Sequence, residues 1–338
     1  MKEVILHIGL HKTGSTSIQN ALKGYNKNGV KSVAFEEVNH SIPMYTIFSE
    51  KRYNYHIWQK AELTKIDIDK KKDVYLNILK EELKSKKFET LIISGEDLSV
   101  LNNNEVQALS ELFNAHQVST TVICYVRNPL SGVVSSAQEL VKNGRSVTSI
   151  DKLYKSRLEK YIMYFGKQNI KVFDYQKASE SEKSIVRHFS KILSIDLRDT
   201  PRLNKSLTPL QFSLIQNLNK LNLHKTRHRA RDVIVMNIMK IDSELTSKSI
   251  EKLDEQYFIK LIPKCYVEDC NWLHKEFGIL FKINKSTEDK NLDDYIKMNL
   301  SNSLEEIDNL FSEIGLGYDP ILSLQDNFLN AYILLKQE

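Results

Sequence analysis

Over the first two hundred residues, short β-rich runs alternate with helical patterns. VILHI (4–8) leads into SIQNALKGY; KSVAF (31–35) precedes a helical stretch near 73–86; TLIIS (90–94) precedes one near 104–115; TVICYV (121–126) runs into a helix starting at Pro129; and IKVFDY (170–175) closes the series. Alternation of this kind leaves a chain few options. Strands that follow one another through helices pair in parallel, and a parallel sheet must be covered on both faces, so the expected class is α/β. Ligands of such sheets collect beyond the carboxyl ends of the strands.

From about Thr208 the period changes. LQFSLIQNLNKLN, DVIVMNIMKI, WLHKEFG and LEEIDNLFSEIG carry helical patterns, with no convincing strand. The expectation is an α/β core over residues 1–200 and a helical C-terminal portion over 201–338, with no repeat or low-complexity linker between them and the two treated as one structural unit. A length of 338 residues with 41% hydrophobic content suffices for a real core. Forty-eight Lys plus Arg against forty-three Asp plus Glu give a net charge of +5, mild beside a nucleic-acid-coating protein and compatible with anionic small ligands. No nucleic-acid partner is expected.

Three cysteines, Cys124, Cys265 and Cys270, cannot complete a disulfide framework and suit a reducing compartment. Cys265 and Cys270 have no second ligand pair nearby, so no zinc site is expected. There is no positively charged leader and no run of 18 apolar residues, which makes a cytoplasmic protein without a membrane span the expectation; contact with a membrane surface is left open, as is the oligomeric state.

The loop after the first strand reads HIGLHKTGSTSIQ, residues 7–19. Gly9 and Gly14 bracket four residues as in a nucleotide-binding phosphate loop, but Ser15 stands where that signature has its lysine, and Lys12 lies inside the loop instead. A strand running through such a loop into a helix aims several backbone N–H groups and the positive helix end at one spot. Lys12 adds a charge, Ser15, Thr16 and Ser17 add hydroxyls, and Gly14 permits close backbone approach. A turn merely capped by Ser15 or Thr16 would need only one of those hydroxyls.

The second element is VICYVRNPLSGVVSSAQE, residues 122–139. Arg127 stands at the carboxyl end of a strand, Pro129 suits the first helical turn, and Ser135 follows the arginine by eight residues, so both can face one crevice. The planar fork of arginine suits a phosphate, although a lone arginine after a strand also serves as an ordinary ion-pair partner.

Together, Lys12-Thr13-Gly14-Ser15-Thr16 directly after the first strand and Arg127 with Ser135 far downstream resemble the sulfotransferases that use 3′-phosphoadenosine 5′-phosphosulfate. The KTGSTSIQ, NKSLTPLQ (204–211) and NWLHKEFG (271–278) segments look most like the soluble bacterial branch that modifies carbohydrates. The resemblance implies a P-loop-type fold, a first loop that grips the 5′-phosphosulfate, an Arg127/Ser135 pair that grips the 3′-phosphate, release of 3′-phosphoadenosine 5′-phosphate, and a hydroxyl-bearing acceptor such as a capsular polysaccharide, an exopolysaccharide or a glycolipid. Lys205 and Ser206 in the NKSL segment are then candidates to close over the nucleotide. Lys12 would stabilise the charge that develops on the leaving phosphate, so that no metal is required.

An attacking alcohol must lose its proton. In related sulfotransferases the catalytic histidine or glutamate stands at the end of the strand preceding the arginine strand, which here is Glu96 in LIISGEDL. Asp97 is adjacent, His11 and His7 are rival bases, with His7 expected inside the strand, and a capping or ion-pair role is the plain alternative for Glu96. Residues 36–72 fit no regular pattern and are rich in rings (Tyr45, Phe48, Tyr53, Tyr55, Trp58), which suit either a binding loop or a satellite core. HKTRHRARD (224–232) is a basic cluster that reads as a solvated helix face or, through Arg227, Arg229 and Arg231, as an attractor for an anionic polysaccharide or the cofactor. Two rival functions stand beside the sulfotransferase: a magnesium-dependent kinase of a small molecule, with Glu96 or Asp97 on the metal, and a non-catalytic nucleotide- or polysaccharide-binding protein.

Overall fold

The computed structural model describes residues 2–10, 12–145, 147, 154–199, 206–223, 229–241, 252–262, 264–282 and 290–337. They fall into two compact units, one formed by residues 1–128, 152–202 and 265–281, the other by 129–151, 203–264 and 282–338.

The first unit is α/β. Its strands are β1 (Glu3–Ile8), β2 (Asn26–Lys27), β3 (Val30–Ser32), β4 (Thr90–Gly95), β5 (Ser119–Val126) and β6 (Ile170–Asp174), ordered β2-β3-β4-β1-β5-β6. All neighbours pair in parallel except the β2–β3 hairpin. The hairpin turns on Asn28 and Gly29, both at positive φ (50° and 76°). That is the backbone an Asn-Gly pair supplies most readily.

Side-chain alternation along β1 assigns the faces. Val4, Leu6 and Ile8 belong to one core, while Ile5 belongs to the other. The first core is roofed by α2 (Ser41–Phe48), α3 (His56–Lys60), α4 (Lys65–Lys84), α5 (Asn103–Ala115), α7 (Lys155–Phe165) and α12 (Tyr266–Phe277). The second lies beneath α1 (Ser15–Leu22), α8 (Tyr175–Ser181) and α9 (Ile185–Ile192). Each aliphatic side chain buried this way contributes about 1.5–3 kcal/mol.

The central position of β1 matters most for function. Chain order takes β4 and β5 to opposite sides of β1, with Ile8 level with Gly95 on one flank and His7 level with Ile123 on the other. The connection leaving β1 runs toward β3 and that leaving β5 toward β6, in opposite directions, and it is beyond the carboxyl ends of two such neighbouring strands that open α/β sheets bind their ligands.

Residues 36–72 are more regular than their sequence suggests, since they contain α2, α3 and the start of α4. Thr64 caps α4 in a reciprocal capping box with Asp67. Tyr55 and Trp58 are each 5% exposed and join the main core, so these rings fill the fold.

The second unit, among the described residues, is helical: α6 (Pro129–Lys142), α10 (Pro209–Lys220), α11 (Arg229–Lys240), α13 (Leu292–Ser301), α14 (Leu304–Glu313) and α15 (Leu324–Gln337). In α10 every residue from Pro209 to Asn219 is buried. Two of its polar members are satisfied internally, Asn219 Nδ2 donating to the Val141 carbonyl at 2.8 Å and Asn217 Oδ1 accepting from Gln325 at 2.8 Å, while Gln216 Oε1 is buried with no hydrogen-bond partner among the described residues. Among the described residues, no helix is long and apolar enough to cross a membrane.

Candidate active site

The β1–α1 loop is wound tightly. Lys12 has φ +68° and Gly14 φ +78°, and Gly14 occupies the N-cap position of α1 with no side-chain capping bond. The Thr13 hydroxyl is turned away, donating to the Leu10 carbonyl at 2.6 Å. Amides of Ser17 and Ile18 close back onto the Gly14 carbonyl at 3.0 and 3.3 Å, whereas the two amides that precede them in a helix's first turn have no intrahelical acceptor.

Ser15 is the residue that needs explaining. It is 1% exposed, and its Oγ has no hydrogen-bond partner among the described residues. A buried orphan hydroxyl costs on the order of 1–3 kcal/mol. Its surroundings leave no room for a side chain at Gly9, where a Cβ would lie 2.1 Å from Ser15 Oγ and 3.1 Å from Glu96 Cγ. A Cβ at Gly14 would meet Ile185 Cγ2 at 2.8 Å and Tyr175 Cε2 at 3.3 Å. Both glycines thus keep the backbone close to its neighbours. Thr16 is exposed and Ser17 half-buried, and His11 lies outside the described residues.

Arg127 follows β5 and reaches this loop directly. Its Nη1 donates to the Lys12 carbonyl at 3.2 Å, and its guanidinium carbon lies 5.4 Å from the centre of the Tyr175 ring. Its own carbonyl accepts from the Tyr154 hydroxyl at 2.6 Å. Two segments 115 residues apart in sequence therefore share one anchoring contact.

On the other flank, the Gly9 amide donates to the Gly95 carbonyl at 3.3 Å, which sets Glu96 beside the loop. Glu96 heads the short 3-10 turn Asp97–Val100 without a side-chain capping bond, so capping is not its role. Its neighbour is committed: Asp97 Oδ2 accepts from the Tyr55 hydroxyl at 2.6 Å. Burial and then the Asp97 charge push the Tyr55 phenol far above its ordinary value. Of the rival bases, His7 is fully buried, hydrogen-bonded through Nδ1 to Ser94 Oγ at 2.7 Å, and burial draws it down to about 3. It is a neutral core residue.

No family model and no curated protein sequence matches the chain. Among solved structures, it is similar to a sulfotransferase from Alicyclobacillus acidocaldarius at 13% identity, over 70% of this chain and 96% of that one, with a TM-score of 0.39. It is also similar to mouse sulfotransferase SULT7A1 complexed with PAP at 12% identity, over 90% of this chain and 87% of that one, with a TM-score of 0.28. Likenesses this distant carry no weight for function, which has to come from the site.

The remaining sequence candidates lie in the second unit. Ser135 is half-buried on α6. The Leu207 amide donates to Gln138 Oε1 at 2.8 Å, so exposed Ser206 adjoins the turn of α6 that follows Ser135. Lys205 and Arg227 lie outside the described residues. Arg231 is no surface attractor: it donates to Asn219 Oδ1 at 2.9 Å, and burial lowers its pKa. Arg229 is exposed. Among the described residues no group of three or more His, Cys, Asp or Glu side chains could hold a metal ion.

Tyr154 and Tyr175 escaped the sequence reading, and Tyr55 enters it only as one of the rings of residues 36–72. Each contacts a site residue through its ring or hydroxyl, and none belongs to a motif.

Proposed function

We propose that the chain is a sulfotransferase that moves the sulfuryl group of 3′-phosphoadenylyl sulfate to a hydroxyl of a carbohydrate acceptor in the cytoplasm, in the synthesis of a capsular polysaccharide, an exopolysaccharide or a glycolipid. The observation that carries this reading is the buried, unpartnered Ser15 hydroxyl inside a loop whose backbone is itself gripped by Arg127. An orphaned hydroxyl beside first-turn amides, with a lysine in the same loop, fits an oxyanion group. The donor supplies an activated sulfuryl group. Lys12, Thr13, Gly14, Ser15, Thr16 and Ser17 would hold its phosphosulfate end, and Arg127 with Ser135 its 3′-phosphate, with Lys205 and Ser206 closing over the nucleotide. Glu96, beside the loop and not engaged in capping, would take the proton from the acceptor hydroxyl. The carbohydrate class is supported by the wording of the KTGSTSIQ, NKSLTPLQ and NWLHKEFG segments.

The test is transfer of labelled sulfate from the donor to a panel of glycans, lipid-linked sugars and small alcohols, with and without EDTA. Sulfate transfer that survives EDTA is expected. Strict magnesium dependence with ATP as the preferred ligand would replace this reading with phosphoryl transfer.

A further inference from the structure

The first turn of α7 is pinned on all sides. The Asp269 carboxylate of α12 accepts from the Tyr154 and Lys155 amides at 2.6 and 2.8 Å. The Tyr154 hydroxyl binds the Arg127 carbonyl, Lys160 Nζ donates to the Ser99 carbonyl at 2.9 Å, and the Tyr161 hydroxyl donates to the Leu98 carbonyl at 2.5 Å. The helix thus spans from the Arg127 side of the crevice to the turn that follows Glu96. Arg157 lies between those anchors.

Arg157 is half-buried, and its guanidinium makes no hydrogen bond or ion pair with any described residue. The Asp97 carboxylate is within electrostatic reach, yet its hydrogen bond goes to Tyr55 instead. Five donors on a rigid support, half-buried beside the turn that follows Glu96 and not engaged by any described residue, are free to meet a ligand that approaches from solvent. A planar oxyanion is the group that fits such a fork best, because it accepts two parallel bonds and balances the charge.

We propose that Arg157 is an acceptor-binding residue, and that the acceptor carries a carboxylate, as in a uronic acid, that Arg157 holds while a neighbouring hydroxyl meets Glu96. This rests on the sulfotransferase reading.

The experiment compares a glucuronic-acid-containing oligosaccharide with its carboxyl-reduced counterpart. Binding to the protein saturated with 3′-phosphoadenosine 5′-phosphate is measured by calorimetry, and sulfate transfer is measured in parallel. Wild type is expected to prefer the carboxylated chain, with Arg157→Ala losing about tenfold to a hundredfold on that chain and little on the reduced one. Arg157→Lys, which keeps the charge and guards against a folding defect, should fall between. Affinity for the nucleotide should stay the same in all three. Equal binding of the two oligosaccharides by wild type, binding of neither, or an unchanged preference in Arg157→Ala overturns the proposal. A selective loss of nucleotide affinity moves Arg157 to the donor. Absence of any nucleotide binding or sulfate transfer in wild type would instead sink the sulfotransferase reading itself.

Discussion

Arg127 Nη1 donates to the main-chain oxygen of Lys12 at 3.2 Å. The contact makes the arginine part of the loop's frame as well as a candidate ligand, because a Lys12 carbonyl turned toward the guanidinium leaves the Thr13 N–H of the same planar peptide facing the other way. Position and charge are therefore supplied by the same residue.

Arg127→Ala should weaken binding of 3′-phosphoadenosine 5′-phosphate by about tenfold to a hundredfold, the usual cost of a charge-assisted contact, and ATP binding much less. Arg127→Lys should recover little, since a point charge cannot bond the Lys12 carbonyl and a phosphate in the same geometry. Calorimetry giving equal losses for both nucleotides would mean that the arginine serves the loop alone.

Ser15→Ala should separate stability from binding. Removing a buried hydroxyl with no partner relieves its desolvation cost, so the free protein should melt higher by the equivalent of about 1 kcal/mol. Nucleotide affinity should fall. A variant that melts lower and binds like wild type would show the hydroxyl to be satisfied internally.

How much of this was legible before folding follows from the kind of signal each part carries. β1, β4 and β5 are apolar runs buried on both faces, and such runs announce themselves. The placement of β1 between β4 and β5 does not, because it is set by crossover connections that no local pattern encodes. The loop from Lys12 to Ser17 was readable because it is contiguous; the Tyr55–Asp97 bond joins residues 42 apart and was not. α2 was missed because SIPMYTIF is apolar on nearly every side and shows no 3.6-residue period, and the Asn28–Gly29 hairpin was available in the sequence but passed over.

Acid should destabilise the fold through its buried histidines. Burial holds His7 at about 3 and His40 at about 4, below the ordinary 6.5 of the unfolded chain. The unfolded state therefore takes up protons as pH drops through 6.5 while the native state does not. Stability from these groups is full above that pH and is lost on the way down toward 4. Each contributes a slope of about 1.4 kcal/mol per pH unit. His7→Asn, which preserves a polar group near Ser94, should lose about 2 kcal/mol less than wild type between pH 7 and pH 5 in urea unfolding. Identical pH dependence in the two proteins would mean that His7 titrates normally.

Glu96 and Lys12 act on opposite ends of the proposed reaction, and substitutions can tell them apart. Glu96→Gln keeps the shape of the side chain beside Gly9 and Ser15 but removes its basicity, so turnover should fall by about 10²–10⁴ with nucleotide affinity near wild type. Asp97→Asn should cost less, because Asp97 is engaged by Tyr55 and its effect reaches the acceptor only through position. Lys12→Ala should lower both turnover and donor affinity, since the charge it supplies to a leaving phosphate is felt in the ground state as well as in the transition state. Single-turnover rates with donor in excess, set beside calorimetric affinities, distinguish the two patterns. Near-normal turnover in Glu96→Gln, together with loss of turnover and unchanged donor binding in His11→Ala, would transfer the role of base to His11 and leave the anion cradle and its arginine as they stand.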